Sequence, residues 1–143
     1  MALKFYGKET GLVVQSGHGK TSVVPIIDGK VDYKNIHTSN LAGKYLEELL
    51  EKKLKTEVGI HKGNTKNLTE ELVRKAKEKL VFADVKPQTG FEKYTVDKEI
   101  EIEKEALRKV GNSLFEPKKD GDLKAGGGVQ DLIFRTIGSM KKE

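Results

Sequence analysis

The chain has 143 residues, 34% charged and 36% hydrophobic, with a formal net charge of +5. That length supports one compact domain with a real core. The chain contains no Cys and no Trp, so disulfides, thiol catalysis and cysteine-based zinc sites are excluded. The opening "MALKFYGKET" holds no apolar run long enough for a secretory signal. No segment has the roughly 18 apolar residues of a membrane span. A cytoplasmic protein that does not engage membranes is expected. The positive charge is interleaved with glutamate, as in "LEELLEKKLKTE" and "EIEIEKEALRK". Mixed signs of this kind describe solvated helix faces with i,i+4 pairs, so nucleic acid is not the expected partner.

In chain order, "GLVVQSG" is a short apolar run closed by a turn, and "TSVVPIIDG" is β-rich and ends in Asp28-Gly29, a tight-turn signal. "KVDYKNI" reads as the next strand. Residues 11–36 therefore predict a three-stranded meander, with turns at Gly17–Gly19 and Asp28-Gly29. The period then changes. In "NLAGKYLEELLEKKLKTE", Leu41, Tyr45, Leu46, Leu49, Leu50 and Leu54 have helical spacing, and Ser39 or Asn40 can cap the start. After the polar loop "GIHKGNTKN", "LTEELVRKAKEKLVFA" predicts a second helix with Leu72, Val73, Ala76 and Leu80 on one face. Asn67 with Glu70 has the form of a capping box. Glu70–Arg74 and Glu71–Lys75 have i,i+4 spacing.

Pro87 in "DVKPQTG" breaks that helix. "FEKYTVDKEIEIEK" alternates around Asp97-Lys98 and predicts a hairpin, and "EALRKVGNSLF" a short helix. "EPKKDGDLKAGGG" is a Gly- and Lys-rich loop. "VQDLIFRTIGSM" predicts a last helix, with Val129, Leu132, Ile133 and Ile137 at helical spacing. No internal repeat is present.

The segment "SGHGKT", Ser16–Thr21, ends in the Gly-Lys-Thr that closes many phosphate-binding loops. A Walker loop needs a further glycine with four residues between it and the Gly-Lys pair, where this chain has Val14. It also needs a helix to follow, whose N-terminal amides face the phosphate. Here "SVVPIIDG" follows, β-branched and interrupted by Pro25. The Walker reading fails on both counts. What remains is a β-hairpin whose Gly-x-Gly turn is either a plain turn or an anion-binding one. His18 has no second His or carboxylate at ligand spacing, so no metal site is expected.

Five collinear stretches carry a resemblance that bears on this choice. "GKETGLVVQSGHGKTSVVPIIDG" resembles the second phosphate-binding hairpin of the actin family, a strand running into Asp-Ser-Gly-Asp-Gly-x-Thr and out through x-Val-Pro-Ile-x-x-Gly. "NLAGKYLEELL" resembles the family's Asp-Leu-Ala-Gly-Arg-Asp-Leu segment and its helix. "LVRKAKEKLVFA" resembles the adenosine-side helix. "GNSLFEP" and "GGGVQDLIFRTIGSM" resemble the stretches on either side of the interdomain loop. Order and spacing hold from Gly7 to Met140. The resemblance implies an α/β fold: a partial actin-like, ribonuclease-H-like domain with a three-stranded β-meander, helices and an inserted helical and hairpin subdomain. Residues 7–40 and 126–143 would correspond to part of the third actin subdomain and residues 41–125 to the fourth. Together they would form one truncated unit of 143 residues without the first and second subdomains.

Carried over position by position, the resemblance implies nucleotide contacts, to ATP or ADP with Mg2+, at Gly17, Gly19, Lys20, Thr21, Gly43, Arg74, Lys77 and Glu78. Read without it, Arg74, Lys77 and Glu78 are a solvated helix face. The departures bear on catalysis. The family's hairpin Asp that organises metal-bound water is Gln15 here, the second Asp is His18, and the His that helps place the attacking water is Ser22. Gln15 keeps an oxygen but loses the charge, while Lys20 could bring a positive charge to a phosphate. No catalytic residue is therefore assigned, and autonomous ATP hydrolysis is not expected.

In this fold the first strand of the meander pairs with a strand supplied later in the chain, which is absent here. "GLVVQ" should thus be an open edge, covered by a second copy, by another chain, or by "MALKFYG" folded back as a substitute strand. Two functions follow. One is a non-hydrolysing actin-like structural or interaction protein that binds a partner chain, a copy of itself or an actin-like cytoskeletal protein. The other is one half of a split ATP-binding actin-like protein completed by a partner. A decayed copy is a third reading, against which the intact β patterning and caps speak.

Overall fold

The computed structural model describes residues 2–57, 69–84, 86, 93–97, 100–117 and 127–141. The chain divides into two compact units, Met1–Gly43 with Pro117–Glu143, and Lys44–Glu116.

The first unit opens with a short helix, α1 (Ala2–Phe5). This corrects the expectation of a substitute strand in "LKFY". Gly7 has a φ of +67°, and it ends the helix. Its N–H donates to Lys4 O (3.0 Å) and the Lys8 N–H donates to Leu3 O (2.9 Å). This is the Schellman pattern of a helix closed by a left-handed glycine. The Leu3 side chain then packs where a Cβ on Gly11 would stand, 3.2 Å away.

Strands β1 (Gly11–Ser16) and β2 (Thr21–Ile27) pair antiparallel without interruption, from Gly11↔Ile26 to Ser16↔Thr21. Strand β3 is only Lys30–Val31, joined to β2 by the Asp28-Gly29 turn. Both turn residues have positive φ (49° and 75°), which a hairpin twist of this type requires. The turn is fastened from behind. The Asp28 N–H donates to Thr10 Oγ1 (3.0 Å) and the Gly29 N–H to Glu9 O (2.8 Å).

The third strand does not run on through "KVDYKNI". The chain leaves the sheet in a 3-10 turn, Tyr33–Asn35, and returns as β4 (His37–Ser39), which pairs with β2 from Thr21↔Ser39 to Val23↔His37. The sheet has four strands, with β3 and β4 sharing one side of β2 and β1 on the other. Pro25 supplies the reason. Its carbonyl faces the β3–β4 side, accepting from the Asp32 N–H (2.9 Å). Residue 25 has no N–H to offer a continuous neighbour on that side, so the neighbour breaks there.

Helix α5 (Val129–Met140, numbered after three helices described below) packs on β2 and β4. It starts at Gly128, whose N–H donates to Asp131 Oδ2 (2.9 Å), half of a capping box. Leu132 and Thr136 are buried. Ile137, expected on the buried face, is 36% exposed, and Thr136 takes that place. Thr136 Oγ1 donates to Leu132 O (2.9 Å) and lies 3.2 Å from His37 Nδ1. That nitrogen is also 3.0 Å from Asn35 O, so it carries the proton and donates to both.

The second unit comprises α2 (Gly43–Glu57, starting on the last residue of the first unit), α3 (Glu70–Leu80), the hairpin β5 (Lys93–Asp97) and β6 (Ile100–Glu103), and α4 (Lys104–Asn112). Its core joins Leu50 and Leu54 of α2, Val73 and Ala76 of α3, Ile102 of β6, and Ala106, Leu107 and Val110 of α4. Helix α2 begins later than either expected cap. Ser39 Oγ accepts from the Leu41 N–H (3.2 Å) and so shapes the approach to the helix instead. Helix α3 is capped by Thr69, whose hydroxyl accepts from the Leu72 N–H (3.2 Å); Asn67 lies outside the described residues. So does Lys98 of the hairpin turn, whose flanking pair is Asp97↔Ile100. The expected helix break at Pro87 and the loop residues 118–126 lie outside them too.

One close approach fixes α4. A Cβ on Gly111 would lie 1.9 Å from Phe82 O, so the 82–84 segment can cross the helix only over glycine. Asn112 then clamps that segment. Its Nδ2 donates to Asp84 O (2.7 Å) and its Oδ1 accepts from the Asp84 N–H (3.0 Å). Arg108, paired with Glu105, also donates to Asp84 O (3.0 Å). Among the described residues no helix is long and apolar enough to cross a membrane. None of them forms a group of three or more His, Asp or Glu able to hold a metal.

Candidate functional site

The β1–β2 turn is built from backbone bonds around four residues. Gly17 N–H donates to Lys20 O (3.0 Å), which makes His18 and Gly19 the central pair. Gly17 O in turn accepts from the N–H of Gly43 (3.0 Å) at the start of α2. Two of the glycines that the sequence singled out, 26 positions apart, are thus bonded directly. Thr21 makes the second fastening. It is fully buried, and its hydroxyl donates to Leu41 O (2.5 Å). Ser16 Oγ, 2.8 Å from Thr21 Oγ1, must then be the donor of that pair, because Thr21 has already spent its one proton. The Thr21 side chain therefore braces the turn from inside the fold. Its hydroxyl is not presented at the surface.

Neither Gly17 nor Gly19 has a positive φ. A Cβ on Gly17 would make an ordinary contact, 3.7 Å from Lys20 O, and one on Gly19 would meet nothing within 4 Å. The fold itself does not require glycine at 19. Glycine without a conformational or packing reason leaves the backbone bare, which lets an incoming group approach the amides closely. Lys20 and His18 are exposed beside it. Gln15 and Ser22 face each other across the β1–β2 ladder, with Gln15 exposed.

Arg74, Lys77 and Glu78 belong to α3 in the second unit, where their i, i+3, i+4 spacing sets them along one side of the helix. Their environments differ. Arg74 and Glu78 are exposed. Lys77 is drawn in, with its ammonium 2.7 Å from Glu47 Oε1 of α2 and only 15% and 19% of the two side chains exposed. The neighbouring Glu71–Lys75 pair, also 2.7 Å, is 64% and 61% exposed. There the Lys75 ammonium, by hydrogen bond and by charge, holds the Glu71 carboxyl below its usual range.

The structure thus brings Gly17, Gly19, Lys20, Thr21 and Gly43 together in the first unit, and places the other three side chains on α3. Sequence reading missed Ser16, Leu41 and Glu47. Ser16 was within reach, since a Ser and a Thr that face each other across a hairpin form a predictable hydroxyl pair; Leu41 was not, because its carbonyl meets Thr21 from 20 residues away. Glu47 gave no signal, because its partner lies 30 residues away on another helix.

The profile of the family described as Actin matches residues 2–126. Actin-related protein 2 of Arabidopsis thaliana is 31% identical over 153 aligned positions, covering 98% of this chain and 38% of that protein. Actin-related protein 2 of Oryza sativa subsp. indica is 33% identical over 154 positions, covering 98% and 38%. Actin-like protein 7B of Rattus norvegicus is 32% identical over 144 positions, covering 88% and 31%. The chain spans less than two fifths of the length of each of these relatives.

Proposed function

The chain belongs to the actin family, and from that premise we propose that it is a non-hydrolysing actin-like structural or interaction protein. It takes a partner chain on the free edge of β1, either a second copy or an actin-like cytoskeletal protein, in the cytoplasm.

The observation that carries this reading is the edge itself. Among the described residues β1 pairs with a strand on one side only, β2, and α1 packs at its Gly11 end. Its six residues, "GLVVQS", include no charge, no Pro and no bulge, the devices that normally protect an edge from pairing. Val14 is 43% exposed. Gln15, His18 and Ser22, where the family resemblance calls for water- and metal-organising groups, support the absence of hydrolysis. Sedimentation or light scattering across a concentration series tests the reading, with Val14→Lys as the comparison. Association that Val14→Lys abolishes supports it. A monomer at every concentration that also fails to capture actin or an actin-related protein sinks it.

A second reading, one half of a split ATP-binding protein, is favoured by Gly19. That residue is glycine without local need, in a turn bonded to Gly43. On this reading the turn takes the phosphates of ATP or ADP with Mg2+, and Arg74, Lys77 and Glu78 lie on the nucleoside side. Titration calorimetry with Mg-ATP decides it. Micromolar binding weakened by Gly19→Asp favours this reading, and no heat up to millimolar ATP removes it.

A further inference from the structure

Helix α5 packs on the sheet with Leu132 and Thr136 buried. On its far side, Asp131, Phe134, Gly138 and Lys141 follow one another at i, i+3, i+7 and i+10, the spacing of a helix–helix seam. All four are exposed. Phe134 is 70% exposed, and the half-exposed Ile137 flanks it. One exposed ring is ordinary in a folded protein. The pattern around it is what singles this face out.

Gly138 stands one turn after Phe134. A Cβ there would meet nothing within 4 Å and its φ is not positive, so the unit does not need glycine at this position. Glycine is nonetheless unfavourable in a helix, because its backbone loses the most freedom on folding. The face therefore carries a large knob and an open hole one turn apart. The order of its groups is self-complementary. In an antiparallel copy centred on position 136, Phe134 lies opposite Gly138 and Asp131 lies opposite Lys141, and two-fold symmetry repeats both matches. A parallel copy would set ring against ring and like charge against like. Asp131 is also held in place, since its Oδ2 accepts from the Gly128 N–H (2.9 Å), and a carboxylate can accept a second donor at the same time.

We propose that this face of α5 is a self-association surface, on which a second copy of the chain docks antiparallel. Each Phe134 sits over Gly138 of the other copy, and Asp131 pairs with Lys141 at both ends. The contact goes beyond the function proposed above, because it uses no residue of β1. Two helices of this length run side by side for about 18 Å. That is a small interface, so a dissociation constant of about 10–100 µM is expected.

Sedimentation equilibrium of the Val14→Lys chain tests this, because it reads only the association that does not depend on the β1 edge. A dimer in that range is expected. Phe134→Ala should weaken it about tenfold or more. Gly138→Ala should weaken it about fivefold while raising the melting temperature, since the methyl fills the hole but favours the helix. A glycine that served only the fold would not separate those two readouts. Lys141→Glu and Asp131→Lys should each weaken pairing about threefold, by setting like charges together at both ends. An equal mixture of these two variants restores opposite charges and should pair about as tightly as the parent. Asp131 also caps α5, so melting curves accompany that variant. Phe134→Ala and Lys141→Glu alter exposed side chains and carry the test if Asp131→Lys does not fold. A Val14→Lys chain that is monomeric up to about 1 mM overturns the proposal. So does a dimer indifferent to Phe134→Ala. A monomer that captures actin or an actin-related protein, and loses it on Phe134→Ala, gives the face to that partner and also overturns self-pairing. None of these outcomes touches the β1 reading, which rests on the association that Val14→Lys removes.

Discussion

The two turns of β2 each carry a glycine, at Gly29 in the β2–β3 turn and at Gly19 in the β1–β2 turn. At Asp28-Gly29 both residues have positive φ, and the turn is bonded to Glu9 and Thr10. At His18-Gly19 neither φ is positive, and the space beside Gly19 is open. The first glycine answers to the backbone. The second does not, and its bareness has a use only if something approaches from outside the fold. Identical residues in neighbouring turns thus carry different information. Only φ and the surrounding space separate them.

Substitutions can sharpen this contrast. The largest effect is expected at Gly111, the limiting case of a glycine that the fold demands. Gly111→Ala places a methyl 1.9 Å from a carbonyl oxygen and should destabilise by about 3 kcal/mol or more, measured by urea unfolding. Thr21→Val keeps the shape but strips the buried hydroxyl that holds Leu41 O and receives Ser16. A loss of about 1–3 kcal/mol is expected, and a change near zero would show that the brace contributes nothing. Gly29→Ala should cost about 1 kcal/mol, the strain of an L-residue held at a φ of 75°. Gly19→Ala should change stability by less than about 0.5 kcal/mol. If it destabilises as much as Gly29→Ala, the contrast between the turns is broken. If it is neutral yet weakens Mg-ATP binding, the contrast is complete.

The smallest expected effect is at Glu71. Its carboxyl titrates lower in the folded protein than in the unfolded chain, chiefly through its hydrogen bond to Lys75. Its contribution is therefore present above the usual carboxylate range and is lost as pH falls through the lowered value. Both side chains are largely in solvent, so the contribution is small. Glu71→Gln should flatten the acid limb of the stability curve only slightly, as read by circular dichroism from pH 7 down to about pH 3.

Much of this molecule was legible in the residues alone. A short apolar run and the β-rich stretch after it marked β1 and β2, and the Asp-Gly pair marked the turn after them. Helical spacing fixed α2, α3 and α5, because local periodicity reports which face is buried. The family was readable from collinear motifs. The β character of "LKFY" pointed to a strand where the chain forms a helix closed by Gly7, because four residues hold too little pattern to choose between states.

Other features depended on partners distant in sequence. The break in the third strand follows from which side of β2 Pro25 faces, and that is fixed only once β1 has taken the other side. Thr136 displaces Ile137 from the interior because His37, 99 residues earlier, offers it a donor. Lys77 is drawn into the fold because Glu47 reaches it from α2. Sequence determined the elements, since those follow from periodicity and backbone preference over a few residues. Tertiary structure decided which polar groups are spent inside the fold and which remain exposed, because a hydrogen bond or ion pair depends on distances that separation along the chain does not set.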